Sequence, residues 1–125
     1  MKKFYEDDVY IKMCKKASDI QAGHQITKFD LFQDSNSGNI FSYDDNILRK
    51  YIGTWIWLPR QDQLMRIIDF EGTILIQTSD RWGIGVLAGG EIFYDIINCA
   101  SPEIALLQYY MLQRFHKVWD GENWI

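Results

Sequence analysis

The C-terminal stretch Ser101–Ile125, which reads SPEIALLQYYMLQRFHKVWDGENWI, decides how the rest of this chain must fold. A serine followed by a proline is typical of a helix start, with Ser101 as the N-cap and Pro102 as the first helical residue. Glu103 adds a negative charge at the positive end of the helix dipole. The stretch therefore predicts one helix over residues 102–115.

The residues from Ile104 to Phe115 are almost wholly apolar, and a helix that is apolar on most sides is buried on most sides. We therefore expect this helix to organise the core, packed between a sheet and another element. Three of its side chains are predicted to lie in that core: Leu107, Met111 and Phe115.

The tail after this helix has the composition of a hairpin. If residues 120–123 form a four-residue loop, Trp119 and Trp124 face each other, and such cross-strand aromatic pairs contribute up to about 1 kcal/mol. A two-residue loop at Asp120-Gly121 would instead pair Trp119 with Glu122. Either arrangement predicts an ordered terminus.

Length and composition favour a globular protein of one domain spanning residues 1–125, because 125 residues with 47% apolar content can bury a real core. The formal net charge of −4 disfavours a general nucleic-acid-binding surface, although a local basic patch remains possible.

No apolar run is long enough to cross a membrane, and the acidic N-terminal region lacks the apolar part of a signal peptide. We expect a cytoplasmic protein with two buried, reduced cysteines, Cys14 and Cys99.

Periodic patterns predict three helices and several short strands. One helix over residues 7–20 follows from an apolar stripe at spacings of four, four and three, and its lysines (Lys12, Lys15, Lys16) form the solvated face. That stripe consists of Val9, Met13, Ala17 and Ile20. A second helix over residues 60–69 begins with Pro59 near its first position, and a helical turn is predicted within residues 46–52.

Strands are predicted at residues 40–43, 54–58, 73–78, 85–87 and 92–98, and residues 29–32 form a brief strand or a packed clip. Residues 34–39, DSNSGN, read as a loop, and Gly89-Gly90 reads as a hairpin turn. A helix continuing through Ile76 competes with the strand at 73–78. Together these elements predict the α+β class: a single layered domain with a mixed, mainly antiparallel sheet of about four or five strands and about three helices.

Signatures of catalysis, metal binding or cofactor binding are absent from the sequence. Two histidines occur: His24 near a loop, and His116 at a helix end, where its charged form suits the helix dipole. The acidic pairs Asp30/Asp34 and Asp44/Asp45 read as solvated turn residues. The sequence therefore predicts no catalytic, cofactor-binding or metal-binding residues and no cofactor.

Aromatic residues make up 15% of the chain, and core packing is expected to use most of them. Rings left exposed would form a patch for protein recognition or base stacking. The candidate binding patch consists of Trp119, Trp124, Tyr109 and Tyr110.

Residues 57–64 (WLPRQDQL), followed downstream by Ser101-Pro102-Glu103 and residues 117–124 (KVWDGENW), resemble small uncharacterised proteins of phages and prophages of Gram-positive bacteria. The resemblance covers roughly residues 55–125. It implies a phage or prophage origin and an α-β-α layered fold, and it carries over no catalytic residue.

Three functional hypotheses follow. The preferred one is a non-enzymatic accessory or interaction protein that binds a protein partner, either itself or a host or phage protein. The first alternative is a helper that binds single-stranded nucleic acid, which requires five basic residues to converge near exposed rings: Lys12, Lys15, Lys16, Arg49 and Lys50. The second is a small enzyme with a site assembled from distant residues, which requires His24 or His116 against a carboxylate.

Overall fold

The structure is a computed structural model and describes residues 3–43, 55–68 and 73–125. Within these ranges it has four α-helices and two three-stranded antiparallel sheets, which confirms the α+β class. The chain divides into two compact units, Met1–Pro59 with Trp124, and Arg60–Asn123 with Ile125. We call them the first and second units and describe each by itself; the expectation of a single domain stays a prediction.

The first unit begins with a 3₁₀ turn, Phe4–Glu6, followed by α1 (Asp8–Lys16) and α2 (Ser18–Gly23). The carboxylate of Asp7 caps α1 by accepting the backbone N–H groups of Val9 and Tyr10, at 3.0 and 3.3 Å. The sequence predicted one helix over residues 7–20. The structure corrects this to two, because Ala17 leaves the helical conformation at φ −87° and ψ 68°.

The buried face of α1 is rotated from the predicted stripe. Met13 and Ala17 are buried as expected, but Val9 in the first turn is 54% exposed, and the fully buried Tyr10 and Cys14 complete the stripe. The tyrosine sets the rotation because its hydroxyl donates a 2.7 Å hydrogen bond to the carbonyl of Pro59. A buried polar group needs such a partner.

The first sheet contains β1 (Leu31–Asp34), β2 (Ile40–Ser42) and β3 (Trp55–Trp57) in the order β2-β1-β3. The predicted loop at residues 34–39 joins β1 to β2, with Gly38 at φ 77°, a conformation that glycine adopts without strain. An aromatic cluster of Phe32, Phe41 and Trp55, with ring centroids 4.8–5.9 Å apart, covers one face. The helical turn predicted at 46–52 and the pair Asp44/Asp45 lie outside the described residues.

The second unit contains α3 (Gln61–Ile67), β4 (Thr73–Thr78), β5 (Arg81–Ala88), β6 (Glu91–Cys99) and α4 (Pro102–Phe115). Helix α3 starts later than predicted, with Arg60 as its N-cap, so Pro59 precedes the helix instead of opening it. The side chain of Gln63 accepts the Arg60 N–H at 2.9 Å, and this bond fixes the start of the helix.

The second sheet is antiparallel in the order β4-β5-β6. Strand β4 has the predicted bounds, so the helical alternative through Ile76 is wrong. The hairpin at Gly89-Gly90 is confirmed, since both residues have positive φ (59° and 80°), as a type I′ turn requires. Strand β5 begins at Arg81 rather than at residue 85, because residues 81–83 pair with residues 76–78 of β4.

Strand pairing divides the predicted single sheet of four or five strands into two sheets of three. The pattern of each strand is visible in the sequence, but its pairing partner is not. The strands of the first unit pair with one another, as do those of the second.

Helix α4 has the predicted bounds, and the Ser101 hydroxyl caps it by accepting the N–H of Ile104 at 3.1 Å. It packs on α3, β5 and β6, and it buries Ile104, Ala105, Leu106, Leu107, Tyr109 and Met111. The expectation of an enclosed helix is thus confirmed for Leu107 and Met111. Phe115, by contrast, is only half-buried, because it closes the last turn and packs edge-on against Tyr110 at 5.8 Å.

Alanine at Gly83 should destabilise the protein more than alanine at Gly85. A Cβ at Gly83 would lie 2.6 Å from the backbone oxygen of Ile96, which cannot move without separating the strands. A Cβ at Gly85 meets only the ends of the Ile76 and Ile92 side chains, both at 2.8 Å, which can rotate away. We expect Gly83→Ala to lower the free energy of unfolding by about 2–3 kcal/mol and Gly85→Ala by about 1 kcal/mol, measured by urea denaturation. Equal losses would contradict this account of the second sheet.

Candidate functional site

The four residues of the predicted aromatic patch differ in how far their side chains are buried. Tyr109 is buried, 6% exposed, with its hydroxyl 3.2 Å from the hydroxyl of Thr73. Tyr110 is half-buried and packs its ring against Phe115. Tyr109 therefore presents no open ring face, whereas the ring of Tyr110 is partly accessible.

The tail forms the predicted hairpin with the four-residue loop. Val118 and Ile125 exchange two 2.8 Å backbone hydrogen bonds, and the Asp120 N–H donates to the Asn123 carbonyl at 3.0 Å. The two-residue alternative is therefore wrong. Trp119 is half-buried, and so is Trp124, whose indole N–H donates to the carbonyl of Met13 at 2.9 Å within the first unit. The candidate patch at these four residues stays a prediction.

A different apolar surface is open on the second sheet. One face of this sheet carries buried residues, Ile84, Ile96 and Cys99, and α4 packs on β5 and β6. The opposite face, which we call the outer face, consists of Ile76, Leu87, Ile92, Tyr94 and Ile97. Four of these side chains are 43–66% exposed, and only Ile76 is half-buried.

A groove of about 460 Å³ crosses the outer face. Its floor is Gly83, which has no side chain, and β6 bends beside it because the register shifts twice between β5 and β6. Its lining is Ile76, Thr78, Arg81, Trp82, Gly83, Tyr94, Ile97 and Asn98. The walls are thus apolar and aromatic, whereas one end is polar.

Arg81 is the charged residue in this lining. Its guanidinium donates to the backbone carbonyl of Asn98, which tethers the side chain at the polar end of the groove. Among the described residues that line the groove none carries a carboxylate, so they give the site a positive charge within apolar walls.

Sequence reasoning missed this surface, although a signal for it is present. The run Ile92 to Ile97 is apolar except for Asp95 and places apolar residues on both faces of its strand, whereas one helix covers only one face of a sheet. The strand predicted at 85–87 left out Gly83. In the structure Gly83 is a strand residue that lines the groove.

The first unit contains a buried carboxylate paired with a histidine. His24 Nε2 lies 2.6 Å from Asp30 Oδ2, and Asp30 is fully buried, which corrects its prediction as a solvated turn residue. Thr27 donates its N–H and its hydroxyl to the same carboxylate, at 2.8 and 3.0 Å. These bonds close the segment between α2 and β1.

Trp57 and Gln21 hold this pair in place. The His24 ring stacks on the Trp57 indole at 3.5 Å with the planes 3° apart. The Gln21 amide in turn bonds both the N–H and the carbonyl of Trp57, at 2.8 and 2.9 Å. A carboxylate that orients an imidazole is one part of a catalytic dyad, but here the nearest hydroxyl, that of Thr27, already donates to the carboxylate. We interpret the cluster as a structural clamp.

The remaining candidates offer little chemistry. His116 is the exposed C-cap of α4, at φ 57°. Lys15 and Lys16 are exposed on α1, whereas Arg49 and Lys50 lie outside the described residues. In the described ranges, no three His, Cys, Asp or Glu side chains are grouped as metal ligands would be. None of the helices described there combines the length and apolar composition needed to cross a membrane.

Comparison with known proteins yields no match to any family model, to any curated protein or to any solved structure.

Replacing the buried carboxylate by an amide should destabilise the first unit. Asp30→Asn removes the charge that His24 and Thr27 bind and turns an amide N–H donor towards existing donors, so we expect a loss of about 1–3 kcal/mol in the free energy of unfolding. Asp34→Asn is the matched control, because its carboxylate lies in a turn and accepts from Asn36 at 3.1 Å in an exposed setting. Urea denaturation measures both; equal losses would contradict the clamp.

Both cysteines should resist alkylation in the folded protein. They are free and buried, and burial raises the pKa of the Cys14 thiol and that of the Cys99 thiol, so the reactive thiolate is suppressed. At about pH 8, near the usual pKa of a free cysteine, iodoacetamide should modify neither until urea unfolds the chain. Mass spectrometry measures this; rapid modification of the native protein would refute the prediction.

Proposed function

We propose that this protein is a non-enzymatic accessory protein of phage or prophage type that binds a separate protein chain through the outer face of the second sheet. The main support for this proposal is the exposure of four large apolar side chains on that face: Leu87, Ile92, Tyr94 and Ile97. Contiguous apolar surface of this kind is typical of interaction sites. The phage or prophage origin is supported by the sequence resemblance alone.

The size of the outer face supports a weak or transient partner. Strands of six to nine residues, spaced about 4.8 Å apart, make a face of roughly 25 by 15 Å. Covering it buries of the order of 1,000 Å² in total, the lower end for specific interfaces. Each half-exposed aliphatic side chain that becomes buried contributes roughly 1 kcal/mol.

The charge on the outer face favours a separate protein over a second copy. In a two-fold contact the same patch meets itself, so each Arg81 would enter an interface whose groove has no carboxylate. A separate partner can supply that carboxylate. The free, buried thiols support a reducing compartment, in line with the expected cytoplasmic location.

The two alternative hypotheses have weaker support. A nucleic-acid helper needs basic residues beside exposed rings, and the exposed Tyr94 lies in the second unit whereas Lys15 and Lys16 lie in the first. An enzyme gains the pair His24–Asp30, whose surrounding donors are accounted for by the clamp. We therefore keep protein binding as the proposed function.

An acidic residue on the outer face should abolish partner binding. We expect Ile97→Asp to raise the Kd for the partner at least tenfold, because it places a solvated charge in the centre of an apolar contact. Leu87→Asp, at the other end of the face, should act in the same direction. Val9→Asp is the matched control, since Val9 is 54% exposed on α1 of the first unit and an acid there suits the helix start.

Affinity capture from phage-infected or induced host cells identifies chains retained by the wild type and by Val9→Asp but lost with both sheet variants. Calorimetry with the purified partner then measures the Kd. Retention by all variants would overturn the proposal. The proposal would also be overturned if sedimentation showed a dimer that Ile97→Asp dissociates and the capture experiment retained no other chain. The outer face would then be covered by a second copy of this protein.

A further inference from the structure

We infer that the groove on the outer face accepts an aromatic or branched apolar side chain of the partner that lies next to a carboxylate, with Arg81 binding that carboxylate. This inference rests on the proposed function and names the chemistry that the outer face recognises. It goes further by assigning one anchor position and one charge pair.

The shape of the groove suits a single large side chain. Its volume of about 460 Å³ lies within the usual range of 300–1,000 Å³ for ligand sites. Two rings, Trp82 and Tyr94, and two isoleucines, Ile76 and Ile97, form its walls. An aromatic ring inserted among them gains both buried area and ring-on-ring contact.

The floor of the groove is rigid. Gly83 lies under it within a paired strand, and the backbone of Ile96 approaches so closely that a Cβ at Gly83 would lie 2.6 Å from the Ile96 oxygen. A site built on paired strands holds its shape without a partner, which lowers the entropy lost on binding. Tyr94 and Ile97 are 55% and 66% exposed, so the groove is open to an incoming side chain.

The polar end of the groove is suited to a carboxylate. A guanidinium carries five N–H donors in a planar fork, and one nitrogen of Arg81 donates to the Asn98 carbonyl. Among the described residues no acidic side chain forms an ion pair with Arg81. Thr78 and Asn98 add polar groups beside the guanidinium. A partner carboxylate therefore meets an anchored and unpaired cation.

A second depression provides an internal control. It has a volume of about 470 Å³ and is lined by Ile67, Tyr110, Gln113 and Arg114, so it also pairs a ring with a guanidinium. It has one aromatic residue where the groove has two, and its arginine is not tethered to a backbone carbonyl by any hydrogen bond in the described residues. If the ligand binds at the outer face, replacing Arg81 should therefore change binding and replacing Arg114 should not.

The test uses 3-phenylpropionate and its uncharged amide, 3-phenylpropionamide, as probes. In ¹H–¹⁵N NMR titrations of the full chain, the acid should shift the Gly83 amide and the Trp82 indole signals and bind about tenfold more tightly than the amide. Arg81→Gln should remove this preference, Arg81→Lys should retain part of it, and Arg114→Gln should leave it unchanged. Thermal unfolding of each variant verifies that it is folded.

Equal binding of acid and amide, or a preference lost with Arg114→Gln, would overturn the inference. The proposed function fails separately, through the capture experiment with Ile97→Asp. If Ile97→Asp abolishes capture but the acid and the amide bind equally, only the inferred binding of an apolar side chain and a carboxylate in the groove is refuted. If Ile97→Asp leaves capture unchanged but the acid binds more tightly than the amide, the groove binds a small acid and not a partner protein. That result overturns the inference as stated.

Discussion

The packing of α4 on β5 and β6 is the contact on which the rest of the second unit depends. Ile104–Leu107 and Met111 are buried where the helix packs on α3, β5 and β6, and Ile84, Ile96 and Cys99 of the sheet are buried too. Because side chains alternate along a strand, covering one face leaves the other face to solvent. The open outer face is therefore a direct consequence of having one helix for a strand that is apolar on both sides. Function, on our proposal, uses the face that the helix does not reach.

The first unit is held together differently, by a few buried polar contacts among aromatic rings. The Tyr10 hydroxyl binds the Pro59 carbonyl, the Gln21 amide clamps both backbone groups of Trp57, and Asp30 gathers three donors from His24 and Thr27. Short strands of three and four residues supply few ladder bonds, so these side-chain contacts set the positions of the connecting segments. The histidine–carboxylate pair belongs to this framework, because the Asp30 carboxylate is buried and hydrogen-bonded as a buried polar group must be.

Much of the fold was predictable from the sequence. The helix at 102–115, the strand at 73–78, the Gly89-Gly90 turn and the four-residue loop of the tail depend on local chemistry: a serine cap, β-branched residues, glycines at positive φ and an aspartate turn. The rotation of α1 towards Tyr10 was not predictable, because it follows from a hydrogen bond to Pro59, far away in sequence. The groove escaped prediction for the same reason, since it needs Gly83 and the bend in β6 to come together.

The amino-acid sequence by itself determined the α+β class, the enclosed C-terminal helix and the absence of recognisable catalytic motifs, because each of these depends on neighbours within a few turns or strands of one another. Only the tertiary structure decided which strands share a sheet, which acid is buried and which apolar face stays open. Those outcomes depend on pairing between distant segments, and a residue's own pattern is compatible with several partners until packing selects one. Asp30 is an acid that packing buried, and Tyr94 is an aromatic residue that packing left exposed.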